Sequence, residues 1–194
     1  MSAPSRPAEL RDQLRAQARS LGFVEAGIAS VRPFRVARRR ALRAIDEGRM
    51  DGMPWFGPER IEHAADLHGR HPWARSLLAL AWPYAPAPSA GETSTAAPGR
   101  PRGRMSAYAC LPDGADYHDL LARRCDELVG WLGERVPGLR SHRFIDHGWA
   151  MDRPVAERAG LGFAGKNACL ITRGAGSYVL LAEVLLSVAL PPTP

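Results

Sequence analysis

The chain has 194 residues, of which 45% are apolar, 24% charged and 7% aromatic. It can form one sizeable α/β core but is too short for two ordinary domains. The net charge of +6 favours polyanionic partners, because arginine pairs with phosphate through two parallel hydrogen bonds. Three widely spaced cysteines exclude a disulfide framework and a zinc or iron–sulfur site made from neighbouring thiols. No segment approaches about 18 uncharged apolar residues, so we expect no membrane span, and we expect a cytoplasmic protein with reduced thiols.

The first part of the chain predicts a helix, a strand and a second helix. An amphipathic helix is predicted over residues 7–20, with Ser5 as its N-cap. Residues 23–30 alternate like a strand, and an arginine-rich helix is predicted over residues 33–48. Residues 49–73 are crowded with Gly, Pro, aromatic residues and His, which predicts an ordered loop.

The middle of the chain combines buried and irregular segments. Residues 76–84 form a continuous apolar run, typical of a strand buried on both faces. Residues 85–104 are almost all Pro, Ala, Gly, Ser, Thr and Arg, which predicts a flexible excursion. A helix is predicted from about residue 116. Its apolar side consists of Leu120, Leu121, Cys125, Leu128, Trp131 and Leu132.

The last part of the chain predicts three strands and a short helix. One strand ends at Asp146, and Asp152 is expected to cap a helix that Gly160 terminates. Two further strands are predicted over residues 168–172 and 177–186. The fold class is therefore α/β, with a mixed central sheet flanked by helices in a single domain.

The segment "GLGFAGKN", residues 160–167, is similar to two phosphate-binding motifs. However, a helix precedes these glycines and a strand follows, which is the reverse of the order in both motifs, and Asn167 lacks the hydroxyl that binds magnesium. Glycines let backbone amides approach a ligand, and Lys166 is the only lysine among 26 basic residues. The segment is therefore either a ligand-binding loop or a plain connection with a solvated lysine.

Asp146 is the best candidate for a general acid or base. Strand ends in α/β sheets direct side chains into ligand crevices, and partial burial there raises a carboxyl pKa toward neutrality. The alternative is a carboxylate that accepts backbone amides at the next turn. A metal site formed by His63, His68 and His71 is the weaker hypothesis, because no common face is evident for the three.

Four segments together resemble one known family: "GRMDGMPWF", "ARSLLALAWPY", "YACLPDGADYHDLL" and the run from Phe144 to Leu186. Residues 1–194 resemble the N-terminal, nitroreductase-like cobalamin-binding domain of the epoxyqueuosine reductase family. The resemblance implies an enzyme that holds base-off cobalamin and reduces epoxyqueuosine to queuosine in tRNA. It also implies that a monomer binds the anticodon stem-loop.

The resemblance also assigns roles to individual residues. Asp146 matches the proposed proton donor of the family. The residues expected to border the cofactor are Arg60, Tyr108, Asp146, Lys166, Asn167, Ala168 and Leu170.

Two departures from the family pattern bear on activity. The chain has "HGWAMDR" after Asp146, where one branch of the family carries Ser and then Pro. In the family, a ferredoxin-like domain with two [4Fe–4S] clusters follows, whereas this sequence ends at Pro194. We expect either part of a longer reductase or a stand-alone domain that takes electrons from an external donor. A cobalamin carrier without activity is the alternative.

Overall fold

The structure is a computed structural model that describes residues 6–84, 106–109, 116–146 and 148–193. The helices of these ranges are α1 (Pro7–Ser20), α2 (Arg35–Asp46), α3 (Pro58–Ala65), α4 (Leu67–Arg70), α5 (Tyr117–Gly133) and α6 (Asp152–Arg158). The strands are β1 (Glu25–Ala29), β2 (Ser76–Pro83), β3 (Ser141–Ile145), β4 (Gly162–Ala164), β5 (Leu170–Thr172) and β6 (Val179–Leu186). Among the described helices, none is both long and apolar enough to cross a bilayer.

A four-stranded sheet in the order β1-β2-β6-β3 organises the molecule, and β4 and β5 form a separate hairpin. The α/β fold with a central sheet flanked by helices is confirmed, but neighbouring strands of the described sheet are antiparallel throughout, not mixed. A parallel pair needs a crossover to the opposite end of the sheet. The helices between β1 and β2 instead return the chain at the same end.

Helices cover both faces of this sheet, and each face has its own hydrophobic core. Alternate side chains of a strand point to opposite faces. Accordingly, Ala182 and Val184 pack with α1 and α5, whereas Leu185 packs with Val155 and Ala156 of α6. The β2 run is buried on both faces for its first six residues, as the sequence predicts.

Several predicted boundaries need correction. The N-cap of α1 is Arg6 rather than Ser5, and Asp152 is the first residue of α6, after the N-cap Met151. The predicted loop over residues 49–73 is wrong in part, because α3 and α4 lie within it. Proline at the start of α3 and burial of its apolar side chains stabilise a helix too short to show a clear period. The predicted excursion at 85–104 lies outside the described residues.

Candidate active site

Asp146 is the first residue after β3, which is an edge strand of the main sheet. Its backbone has φ = +53°, in the left-handed region that non-glycine residues rarely adopt. The side chain is 62% exposed, so the partial burial expected from the sequence is not found. The reason is that an edge strand leaves its end open to solvent on one side.

Two residues at the start of α5 hold the Asp146 carboxylate. The Tyr117 hydroxyl donates a hydrogen bond of 2.6 Å to Oδ2, and Nε2 of His118 lies 3.4 Å from the same oxygen. Nδ1 of His118 is 2.7 Å from Oδ1 of Asp116, the N-cap of the helix. Burial raises the pKa of Tyr117, and the hydrogen bond and charge of Asp146 raise it further. Tyr117 therefore remains a phenol and acts as the donor.

A series of tyrosine rings extends from Tyr117 along one side of the site. Tyr108 packs edge to face on Tyr117 at 5.5 Å and lies 6.1 Å from Tyr84, which in turn packs on Tyr178 at 5.8 Å. Burial raises the pKa of Tyr84, and the charge of Cys169 contributes to the shift. Cys169 belongs to the connection between β4 and β5, so the rings run from Asp146 to this hairpin.

The tip of the β4–β5 hairpin presents Lys166, Asn167 and Ala168, all exposed. The Gly165 amide donates to the Cys169 carbonyl at 2.8 Å, and the Cys169 amide donates to Oδ1 of Asn167 at 3.1 Å. Ala168 adopts φ = +62°, the second left-handed non-glycine position among the described residues. The glycine-rich segment is thus a tight hairpin turn, and the helix-before, strand-after order that argued against a phosphate motif is observed.

Helix α6 fixes the hairpin relative to Asp146. Arg153 donates a hydrogen bond to the Ala168 carbonyl, and Oε1 of Glu157 accepts one from the Ala164 amide at 2.7 Å. Arg153 and Glu157 are four residues apart and therefore lie on one face of the helix. Leu170, by contrast, has its side chain buried in the core, so only its backbone is available to a ligand.

The loop between Asp146 and α6 lies against the sheet. A Cβ on Gly148 would come within 2.7 Å of Cβ of Phe144, so only glycine allows this approach. Arg60 donates to the Gly148 carbonyl at 3.2 Å. Arg60 thus contacts the loop that carries Asp146, while Lys166, Asn167 and Ala168 lie at the hairpin.

The three histidines of the metal hypothesis have separate contacts. His63 stacks on Trp149 at 4.7 Å, Nδ1 of His68 lies 3.2 Å from the Ala74 carbonyl, and His71 stacks on His142 at 4.8 Å. No group of three or more side chains that could hold a metal ion occurs in the part of the chain that the structure describes.

Sequence reasoning missed four contributors to the site: Tyr84, Tyr117, Tyr178 and Arg153. Tyr84 directly follows β2 and Tyr178 directly precedes β6, and these two strands pair with each other. The sequence therefore indicates that the two tyrosines are neighbours only once the register of the strands is known. Tyr117 and His118 adjoin the Asp116 cap, so the cap residue in the sequence is the signal that places them at the start of a helix.

Known proteins with similar sequences carry one common name. A family model described as "Epoxyqueuosine reductase QueG, DUF1730" matches residues 65–147. An epoxyqueuosine reductase of Bacillus cereus is 32% identical over 185 residues, covering 95% of this chain and 46% of the relative. One of Gloeobacter violaceus is 34% identical over 179 residues, covering 92% and 52%. The chain spans about half the length of the curated relatives that it matches.

Solved structures give the same result. An epoxyqueuosine reductase with an epoxyqueuosine-modified tRNA stem loop is 29% identical, with a TM-score of 0.79 over 97% of this chain and 48% of that protein. A Bacillus subtilis epoxyqueuosine reductase, solved with its catalytic aspartate loop swung out of the active site, is 28% identical, with a TM-score of 0.76 and the same coverage.

A reductive dehalogenase for which a B12-dependent mechanism was suggested is 19% identical and has a TM-score of 0.57 over 100% of this chain and 22% of that protein. This similarity concerns the fold alone. The chain thus has an α/β fold that is also found in a reductive dehalogenase. Within this class, the chain is similar over nearly its whole length to about half the length of the epoxyqueuosine reductases that it matches.

Proposed function

We propose that the chain is the cobalamin-binding catalytic part of an epoxyqueuosine reductase, which converts epoxyqueuosine to queuosine in tRNA. The observation that carries the proposal is the arrangement around α6. This helix begins six residues after Asp146 and holds the β4–β5 hairpin by two hydrogen bonds. We infer that the acid and the hairpin tip share one surface.

The residues on this surface fit a corrinoid. Tyr108, Tyr178 and Phe163 are large aromatic side chains that are 39%, 49% and 60% exposed, and they offer an apolar surface to a broad flat ring. Lys166 and Asn167 add a point charge and an amide, which suit the amide-bearing and phosphate-bearing periphery of such a cofactor. Cobalamin, when bound, would supply the electrons that open the epoxide.

Asp146 would protonate the oxygen that leaves the epoxide carbon. Tyr117 fixes Oδ2 of Asp146, so Oδ1 is the oxygen that can carry the proton to the substrate. A bound ring would also exclude water from the exposed carboxyl, which favours the protonated acid. Arg60 would act indirectly, because it holds the loop that carries Asp146.

The tRNA would bind through arginine-rich surfaces. The chain has a net charge of +6, and α2 carries five arginines, Arg35, Arg38, Arg39, Arg40 and Arg43. Phosphate contacts of this kind position the nucleic acid without reading its sequence. Two of the five are already paired, Arg38 with Glu62 and Arg43 with Glu47, so the others are the better candidates.

An absorbance titration with hydroxocobalamin tests the proposal first. A base-off spectrum is expected at saturation, and a folded chain that leaves the spectrum unchanged would refute cobalamin binding.

The second test measures turnover of an epoxyqueuosine-containing RNA stem loop with an artificial low-potential reductant. Asp146→Asn should bind cobalamin normally and lose turnover by on the order of a hundredfold or more. Asp119→Asn, an exposed carboxylate on α5, is the matched control and should turn over like the parent. A parent that binds cobalamin but never turns over would indicate a carrier.

A further inference from the structure

Glu183 is an acidic residue in the middle of the main sheet. It lies on β6 between Ala79 of β2 and Phe144 of β3, neither of which carries a charge. Its side chain is fully buried, and neither carboxyl oxygen has a hydrogen-bond partner of normal geometry among the described residues. A buried ionised carboxylate without a partner is very costly, so Glu183 must either be protonated or lie beside a compensating cation.

The same face of the sheet carries the loop that follows Asp146. Glu183 and Phe144 are cross-strand neighbours and therefore point to the same face. Gly148 packs directly on Phe144, and α6, which the loop enters, packs on β6. The first residue of α6 is Asp152, and its half-buried carboxyl interacts with that of Glu183. A second acid thus lies where a compensating cation would be expected.

The other charged groups around the pair do not neutralise it. Asp146 acts on Asp152 with a like charge, and the nearby thiol of Cys125 is uncharged because burial raises its pKa to about 12. Arg153 is the one cation that acts on Asp152 among the described groups, but its guanidinium is bonded to the hairpin. Two carboxyls that share a buried site cannot both ionise without a large repulsion.

We propose that Asp152 and Glu183 form a proton-sharing carboxyl pair that returns a proton to Asp146 after each turnover. A proton held between the two carboxyls supplies the hydrogen bond that Glu183 otherwise lacks. The direction of the pKa shifts agrees with this arrangement. Burial, followed by the charge of Asp152, raises the pKa of Glu183 well above its ordinary value, and burial raises that of Asp152 to about 6.

The role in turnover rests on the proposed function. Each cycle leaves Asp146 as a carboxylate once its proton has passed to the substrate oxygen. An O–H bond of the pair then breaks and an O–H bond on Asp146 forms, and the pair takes a replacement proton from solvent through half-buried Asp152. No oxidant or reductant is consumed in this exchange. Asp152 interacts with both the buried Glu183 and the exposed Asp146, which suits it to pass the proton from one to the other.

Infrared spectroscopy of the chain tests the pair without any need for activity. At neutral pH the parent should show the carbonyl stretch of a protonated carboxylic acid. Glu183→Gln should abolish this band. Asp152→Asn should keep it, because Glu183 alone stays protonated, but should shift it as the neighbouring acceptor changes. Glu134→Gln, at a side chain that is 77% exposed, is the control and should leave the band unchanged.

A parent without the band at neutral pH, or a band that persists in Glu183→Gln, would overturn the proposal. Asp152→Asn guards against misfolding of the strand variant, since its altered residue lies at a helix start rather than inside the sheet.

Turnover tests the return of the proton. In the cobalamin-loaded protein with an artificial reductant, Glu183→Gln should complete its first turnover at the parental rate and slow in later turnovers by on the order of tenfold or more. A purely structural role would slow the first turnover equally, and that result would refute the relay. Failure of the proposed function is recognised separately, as a parent that does not bind cobalamin.

Discussion

Asp152→Asn should have a higher free energy of unfolding than the parent at neutral pH. This advantage should disappear in acid. An unfolded Asp152 ionises near its ordinary pKa of 3.8, whereas burial and the Asp146 charge raise the folded value to about 6. Between these values the folded protein binds the proton more tightly than the unfolded chain. The contribution to stability is therefore fully present below about pH 4 and is lost as the pH rises through about 6.

The size of this loss follows from the shift. A difference of about two pKa units corresponds to about 3 kcal/mol in the free energy of unfolding. Asp152→Asn removes the titration and with it the loss. It also removes an acid from the first turn of α6, where a negative charge stabilises a helix by about 0.3–1 kcal/mol. The advantage of Asp152→Asn over the parent in the free energy of unfolding should therefore grow by about 2 kcal/mol from pH 4 to pH 7.

Urea unfolding of both proteins at intervals from pH 4 to pH 8 measures this difference, with Glu134→Gln as a control for surface charge. The control should follow the parent at every pH, because its side chain is exposed. Parallel curves for the parent and Asp152→Asn would show that Asp152 titrates normally in the fold and would refute the reasoning.

Two further substitutions test the support of Asp146. Tyr117→Phe removes the 2.6 Å hydrogen bond to Asp146, which is worth about 1.5–3 kcal/mol for a charged acceptor. Turnover should therefore fall by roughly tenfold or more, while the affinity for hydroxocobalamin stays unchanged. Weaker cofactor binding would contradict a positioning role. Gly148→Ala places a Cβ 2.7 Å from Phe144 and should lower the free energy of unfolding in urea by about 1–3 kcal/mol. Gly130→Ala, whose Cβ would have nothing within 4 Å, is the control and should be neutral or stabilising. Equal effects of the two substitutions would show that the loop after Asp146 adjusts to the added methyl group without cost.

The elements with strong local signals could be predicted from the sequence. α1 follows the apolar period within residues 7–20, and the uninterrupted apolar run after Ser76 predicts a strand buried on both faces. The strand predicted to end at Asp146 is also present, although it ends one residue earlier, at Ile145. α3 was not predictable, because eight residues with an initial proline and a glycine before it show turn chemistry more strongly than a helical period.

The environment of each carboxylate was less predictable than its position. Asp146 was expected to be partly buried and is exposed, since β3 lies at the edge of the sheet. Asp152 was expected to be a simple cap and instead interacts with Glu183. In the sequence, Glu183 only interrupts an apolar run. Its burial follows from the pairing of β6 between β2 and β3, which no local pattern encodes.

Helix α6 explains how two parts of the sequence about twenty residues apart can serve one site. Its first residue belongs to the carboxyl pair, while Arg153 and Glu157 hold the two sides of the hairpin turn. Val155 and Ala156, on the opposite face, are buried against the sheet and fix the helix in place. A displacement of the helix would therefore move the hairpin and the Asp146 loop together. For this reason, substitutions on its buried face should alter cofactor affinity and proton supply in parallel, whereas substitutions at the hairpin tip should alter affinity alone.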